Sequence, residues 1–362
     1  MPRIPTRLIL QAYQHNNLLP LLLRECRTLD LAKNELRWLR EHALRVVKSA
    51  ATDHVQARTP IPCFRTLLKT MCVVRSRGVP LQYILGDQPF GDLDIKCARG
   101  VLIPRHETEA ITYHTANLIL DEITKYRVGS RGASTPLRIL DLCTGTGCIP
   151  LLLHSLLSPH FSNLSITGID ISTVAIKLAR ENSERNVRLG LLSERALTEV
   201  SFRHGNVLEY AHDGSTLNKV FQDMPAPRFP NRELGCDVII SNPPYISPDD
   251  YRNGTTSRSV RMFEPKLALV PPEYSSAPML HGGDFRIEDL FYYHIAAIIA
   301  RFNVGLTVLE CGSRLQAMRV ATFCENVFQR RSETSRAVVN IWSVTGIDTH
   351  PYAVLIHMSA SK

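Results

Sequence analysis

No run in the 362-residue sequence approaches the ~18 apolar residues that a membrane-spanning helix needs. The apolar stretch Ile149–Leu157 is too short, and Pro150 and His154 interrupt it. Among nine cysteines (Cys26, Cys63, Cys72, Cys97, Cys143, Cys148, Cys236, Cys311 and Cys324) there is no Cys-x-x-Cys pair, and thirteen histidines form no His-Glu-x-x-His pattern. A disulfide framework and a zinc module both need tighter, paired spacing, so no metal is expected and the cysteines read as buried thiols in a reducing compartment. Aromatic residues are sparse at 7%, and neither an internal repeat nor a low-complexity tract is present. Collagen-like, disordered and membrane-spanning classes are thereby excluded.

What is present is 44% hydrophobic and 21% charged residues, enough for a real core and, at this length, for two domains. Lys and Arg exceed Asp and Glu by 42 to 34, a net charge of +8. Such a balance favours acidic partners, ribosome-associated material or nucleic acid, without choosing among them. The first 24 residues carry Arg3, Arg7 and Arg24 and no acid. Acid-poor, Arg-bearing starts occur in mitochondrial transit peptides, so a mitochondrial address is expected, with the cytoplasm as alternative. Leu8–Leu23 reads equally as the first helix of a folded domain. The run Leu18–Leu23 is broken by Pro20 and lacks a small-residue cleavage site, so no secretory signal is seen.

Three regions follow from the patterning. Residues 1–78 read as a small helical domain: Leu31, Leu36, Leu39 and Ala43 recur at helical spacing behind Asp30 as N-cap, and Cys63–Val74 forms a second helix. Residues 79–106 read as a β-hairpin linker with short pieces at Gln82–Gly86, Asp94–Cys97 and Gly100–Ile103. Over 107–362, strands (Arg138–Leu142, Leu164–Asp170, Ser201–His204, Asp237–Ser241, Leu306–Glu310) alternate with helices (Thr146–Leu157, Thr173–Asn186, Ile287–Phe302, Arg314–Phe328), and two strands, Ala337–Trp342 and Ala353–His357, end the series. That series predicts an α/β fold with a mostly parallel sheet. Residues 213–233 and 247–261 read as inserted loops.

Three motifs carry chemistry. The first is Asp141-Leu-Cys-Thr-Gly-Thr-Gly147, a strand entering a tight turn and a helix. A Walker loop needs Lys-Ser/Thr where Cys148-Ile149 stands, and a dinucleotide turn needs glycine where Pro150 stands. What remains is the turn of an S-adenosylmethionine site, or an ordinary strand-to-helix turn. The second is Asp170, ending the next strand, where a carboxylate can accept both ribose hydroxyls of a nucleoside; a helix N-cap is the alternative. The third is Asn242-Pro-Pro-Tyr245 after the apolar strand Asp237–Ser241. Two prolines hold the backbone extended there, so Asn242 Oδ1 and the Pro243 carbonyl can accept both hydrogens of a planar –NH₂ group while Tyr245 packs against its plane.

With these motifs the sequence resembles the HemK (PrmC) family of peptide-chain release-factor glutamine N5-methyltransferases over most of its length. Asn-Pro-Pro-Tyr alone is shared with methyltransferases acting on adenine or guanine amino groups in RNA or DNA. More discriminating are Pro80-Leu-Gln-Tyr-Ile-Leu-Gly86, Phe90, Leu102-Ile-Pro-Arg-His-Glu-Thr-Glu109, Phe263-Glu-Pro-Lys-Leu-Ala-Leu269 and Gly282-Gly-Asp284. The resemblance implies a Rossmann-like class I S-adenosylmethionine-dependent methyltransferase with a small N-terminal helical domain that helps hold a class I release factor in translation termination. It places the glycine-rich turn on Cys143, Thr144, Gly145, Thr146 and Gly147, the ribose acid on Asp170, the adenine side near Asn206 and Val207, and the substrate clamp on Asn242, Pro243, Pro244 and Tyr245. The sequence departs from the family in several places. Cys143 replaces a glycine and calls for negative φ or mild strain, Asn206 stands where Asp is frequent, His106 replaces Pro, and Phe285 follows Asp284 in place of Gly. Both inserted segments are longer than in compact bacterial forms.

The expected reaction is in-line transfer of a sulfonium methyl to a glutamine amide nitrogen. No strong base stands within the Asn-Pro-Pro-Tyr strand, so positioning must carry catalysis. Amino methylation of nucleic-acid bases is the alternative. Lys and Arg are scattered rather than clustered, so neither a stable nucleic-acid partner nor a membrane is expected.

Overall fold

The computed structural model describes residues 3–57, 62–126, 136–209, 216–223, 236–273, 286–302, 304–329, 337–344 and 351–358. It divides into two compact units, Met1–Asp87 with Ser257–Phe263, and Gln88–Thr256 with Glu264–Lys362.

In the first unit, helices α1 (Thr6–His15), α2 (Leu19–Cys26), α3 (Leu29–Ala57), α4 (Phe64–Ser76) and α5 (Leu81–Leu85) surround a core that includes Leu19, Leu22, Leu23, Leu39 and Cys72. Leu8–Leu23 is not one helix. Asn16 turns extended at φ −165°, its Oδ1 accepts from Leu18 N at 2.9 Å, and Pro20 starts α2 in the first turn, where a missing N–H costs nothing. In α3 the buried stripe runs through Ala32, Leu39 and Ala43, whereas Leu31 is 54% exposed. The helix begins two residues earlier than its sequence suggests, with Thr28 Oγ1 accepting from Leu31 N at 3.4 Å, so Asp30 lies in the first turn rather than at the cap. A bidentate Arg75–Glu35 pair, both bonds 2.8 Å, ties α4 to α3. Gln82–Gly86 is helical rather than strand-like, because Pro80 stands at the start and Gly86, at φ +83°, provides the left-handed stop.

The second unit opens with a hairpin, β1 (Asp87–Phe90) and β2 (Leu93–Lys96). Gly100–Ile103 forms no strand and runs as a loop into α6 (His106–Tyr126). Then follow β3 (Leu137–Leu142), α7 (Cys148–Leu157), β4 (Leu164–Asp170), α8 (Thr173–Arg188), α9 (Ala196–Glu199), β5 (Val200–His204), α10 (Thr216–Asp223), β6 (Val238–Ser241), α11 (Pro248–Asn253), α12 (Arg258–Phe263, within the first unit), α13 (Leu290–Phe302), β7 (Leu306–Cys311), α14 (Arg314–Gln329), β8 (Ala337–Ser343) and β9 (Tyr352–Met358). The 247–261 segment is therefore two short helices joined at Gly254 rather than a loop, the first capped by Ser247 Oγ accepting from Asp250 N at 3.0 Å. Part of 213–233 forms α10; the rest, like Gly282–Asp284, lies outside the described residues.

The sheet order is β5–β4–β3–β6–β7–β9–β8, with β5 through β7 parallel and β9 antiparallel to both neighbours. All six residues of β3, and all six of β7, are buried, because helices cover both faces. Ile139 faces one core with Leu151 and Leu153, while Leu140 and Leu142 face the other with Ile295 and Ile299. The chain winds outward in both directions from β3, which puts the topological switch point at the carboxyl ends of β3 and β6.

Candidate active site

The turn after β3 is held by backbone bonds from Thr144 N to Ile169 O and from Gly147 N to Thr144 O, each 2.9 Å. Cys143 adopts φ +65°, the left-handed conformation, so of the two accommodations expected there the structure takes strain and not negative φ. That costs about 1–2 kcal/mol relative to glycine. Burial pushes its thiol well above the ordinary range, so it stays protonated. Gly147 is required for packing: a Cβ there would stand 2.9 Å from both Ala179 and Phe202. Asn182, fully buried on α8, donates to Thr146 O at 2.9 Å and accepts from Lys96 N at 2.7 Å, locking the turn to the hairpin. The sequence signal for this anchor was two asparagines, Asn182 and Asn186, in phase with the buried Leu178 and Ala179.

Asp170 ends β4 with each carboxylate oxygen accepting one backbone N–H, Oδ2 from Gly145 at 2.9 Å and Oδ1 from Ser172 at 2.8 Å. It is not the cap of α8; Ser172 is, accepting from Ala175 N at 3.3 Å. A carboxylate offers about four acceptor positions, so two remain. Burial raises the Asp170 pKa, opposed by the bonds from Ser172 and Gly145. Asn206 spends its side chain locally, accepting from Leu208 N at 3.0 Å and donating to Glu209 at 3.0 Å, and Val207 is buried beside it.

Beyond β6, Asn242 Nδ2 donates to Thr108 Oγ1 at 3.0 Å, which leaves Oδ1 as its other polar face. Pro243 and Pro244 are buried. Tyr245 is pinned at three points. Its hydroxyl donates to Glu310 Oε1 at 3.4 Å, its carbonyl accepts from Gln316 Nε2 at 3.3 Å, and its ring lies against Gly312. Burial, then the neighbouring Glu310, raises the tyrosine pKa well above 10, so it serves only as a neutral donor.

The tips of these strands open on one cleft of about 340 Å³. Of the residues singled out in the sequence, Cys143, Thr144, Gly145, Thr146, Asp170, Asn206, Val207, Asn242 and Pro244 line it. Gly147, Pro243 and Tyr245 are not among its lining residues. The opposite wall comes from Leu102–Arg105, Thr108 and the segment around Pro265 and Leu267. Glu264 clamps that wall: it accepts from Ile103 N at 3.1 Å and pairs with Arg105. Asp141, the acid of the glycine-turn motif, is fully buried beneath the cleft, and neither of its oxygens has a hydrogen-bond partner among the described residues. Burial pushes its pKa well up.

A spare pair of acceptors on Asp170, a turn with no Cβ at Gly145 and a largely apolar cleft suit a nucleoside without phosphates. Sheet order and switch-point crevice together define a class I S-adenosylmethionine-dependent methyltransferase. Residues 134–234 match the family described as a methyltransferase domain. The mitochondrial MRF1 N(5)-glutamine methyltransferase MTQ1 of Saccharomyces cerevisiae is 37% identical over 274 residues, 75% of this chain and 68% of its own. The probable MRF1 mitochondrial N(5)-glutamine methyltransferase mtq1 of Schizosaccharomyces pombe is 31% identical over 353 residues, 93% of this chain and 96% of its own. A release factor glutamine methyltransferase of Pasteurella multocida is 34% identical over 218 residues, 59% of this chain and 61% of its own. The chain belongs to the release factor N(5)-glutamine methyltransferase family, enzymes that use S-adenosyl-L-methionine.

Proposed function

We propose that this enzyme methylates the side-chain nitrogen, N5, of the glutamine in the Gly-Gly-Gln motif of a class I release factor, and that it does so in the mitochondrion. The names of the two yeast relatives support the organellar factor and address. The observation that carries the substrate reading is the orientation of Asn242, whose nitrogen is committed to Thr108. Its Oδ1 and the Pro243 carbonyl are then paired acceptors for a planar –NH₂ group, whose lone pair stands out of the plane they define. Residues 1–78 would help hold the release factor.

S-adenosylmethionine, when bound, supplies an electrophilic sulfonium methyl. Asp170 would hold its ribose hydroxyls, Val207 and Asn206 would border its adenine, and Cys143–Gly147 would let the backbone approach it closely. The glutamine amide nitrogen is a weak nucleophile because its lone pair is delocalised into the carbonyl. Catalysis therefore rests on orientation, which can supply up to about 7–11 kcal/mol. Acceptors on Asn242 and Pro243 that follow a pyramidalising nitrogen add transition-state selectivity, and the surplus proton leaves to water after transfer.

The test incubates the protein and labelled cofactor with a mitochondrial release factor, a cytosolic release factor and total RNA. Label in the Gly-Gly-Gln tryptic peptide of the mitochondrial factor is expected. Label confined to RNA bases, or to the cytosolic factor, overturns the proposal.

A further inference from the structure

Among the described residues, two charged side chains line the cleft, Asp170 and Arg105. Asp170 ends β4, on the nucleoside side. Arg105 heads α6, its carbonyl accepting from Glu109 N at 3.1 Å. In the first turn of that helix Thr108 accepts from Asn242 at 3.0 Å, which puts Arg105 on the clamp side. Glu264 is the one hydrogen-bond partner of the Arg105 guanidinium among the described residues, through Nη2. Glu264 is itself 5% exposed and accepts from Ile103 N at 3.1 Å, so the pair fixes the guanidinium at the wall. A guanidinium carries five N–H donors in a rigid fork, and Glu264 takes one. The other donors remain on a side chain that lines the cleft and is 32% exposed.

We propose that Arg105 binds the α-carboxylate of S-adenosylmethionine and so selects for the intact amino-acid end of the cofactor. The sulfonium carries three carbon substituents: the ribose, the methyl that is transferred and the amino-acid chain. With the ribose at Asp170 and the methyl aimed at Asn242, the third substituent is left to the wall that Arg105 supplies. That chain ends in the cofactor's one anionic group. The acceptor at the clamp, a glutamine amide or a base amine, is uncharged, so the carboxylate is the group that gains most from a cation there. It also matches the guanidinium fork in shape, since arginine and carboxylate pair through two parallel hydrogen bonds. Opposite charges at two places in one cleft thus sort the ligand: Asp170 accepts hydroxyls and repels anions, and Arg105 draws the anion to the clamp side. A nucleoside that shares the adenosine and the sulfonium but lacks the carboxylate is discriminated against. This inference needs the cofactor alone and stands whichever acceptor the enzyme uses.

The experiment measures binding by calorimetry, without turnover, of S-adenosylmethionine and of decarboxylated S-adenosylmethionine to wild type, Arg105→Met and Arg105→Lys. Wild type should bind the intact cofactor about 10- to 10²-fold more tightly, the contribution of one charge-assisted pair. Arg105→Met should lose that preference, and its affinity for the decarboxylated ligand should stay within about twofold of wild type. Arg105→Lys keeps a cation beside Glu264 but not the fork, so its preference should fall by about threefold or more. Comparing two ligands on one protein cancels any loosening of the wall, which would weaken both alike. Should Arg105→Met leave Glu264 unpaired and fail to fold, the wild-type and Arg105→Lys measurements still decide. Wild type that binds the two ligands equally overturns the proposal, as does an undiminished preference in either variant. An equal loss for both ligands overturns it too, since Arg105 would then only brace the wall.

Discussion

Gly312 follows β7 outside the left-handed region of backbone space, so alanine is conformationally acceptable there. A Cβ at this position would nonetheless stand 2.7 and 2.9 Å from Cδ2 and Cε2 of the Tyr245 ring. Carbon atoms settle at about 3.5–4.0 Å, so the ring must retreat by about 1 Å. Overpacking of that size costs about 1–3 kcal/mol, and the entropic gain of Gly→Ala returns about 0.4–1 kcal/mol. Gly312→Ala should therefore lose about 1–2 kcal/mol net, a melting shift of roughly 2–8 °C for a unit of this size. The larger effect falls on turnover. Tyr245 carries the strand tip, and a displacement of about 1 Å lowers kcat by about 10²-fold. Cofactor affinity should hold, because Gly312 does not line the cleft. Steady-state methyl transfer beside calorimetry of cofactor binding reads all three quantities. A folded Gly312→Ala enzyme with wild-type kcat would refute the view that the ring's seat sets the geometry of the clamp.

Three other outcomes follow from the same packing. Asp237→Ala should cost about 3–5 kcal/mol in chemical denaturation, because Arg138, 1% exposed, would keep its charge in the core without that carboxylate. Among the nine cysteines, Cys63 should react first with iodoacetamide at neutral pH, read by peptide mass spectrometry: it is the exposed one, and backbone hydrogen bonding at Thr66 lowers its pKa. Burial lifts Glu310 from 4.5 to about 7, so the native state binds its proton more tightly and stability falls as pH rises across that window, by roughly 3 kcal/mol. Glu310→Gln should lack that slope, and equal slopes in the two proteins would show that the acid is not buried as described.

The central strands were legible because both faces are covered: Val238-Ile-Ile240 reads as an unbroken apolar run, and the prolines after Asn242 mark the strand's end. The cleft's near wall was legible because glycines, Asp170 and Asn242 sit at strand ends, where topology gathers them. Leu31 was misplaced because helix phase is set by what α3 packs against, and its stripe could be drawn through Leu31 or Ala32 until the neighbours were known. The five residues of α5 include β-favouring Tyr83 and Ile84, and tertiary packing of Leu81 overrode that preference. The helix at Pro248 did carry its signal: Ser247 as cap, proline in the first turn and two acids after it. Glu310 and Gly312 carried none, since one acid in Leu-Thr-Val-Leu-Glu-Cys and one glycine after it gain meaning only when β7 lies beside β6.

The two ends of the sheet treat buried charge in opposite ways. At the amino end, Arg138 on β3 and Asp237 before β6 face each other, and Arg138 N also donates to Asp237 Oδ2 at 2.9 Å. At the carboxyl end, Asp141 on β3 and Glu310 on β7 are equally buried, yet Asp141 has no hydrogen-bond partner and Glu310 only one, among the described residues. Desolvation without a partner opposes folding, so packing alone would favour an apolar residue at either place. Both acids lie near the ends of their strands, on the side of the sheet where strand tips lead into the glycine turn and the clamp. A fold that compensates its charges at one end and tolerates them uncompensated at the other has given up stability where orientation of the reacting groups is decided. If that is the reason for Glu310, neutralising it must strengthen the fold and weaken the reaction together, and a variant that gained both would show that the acid serves neither.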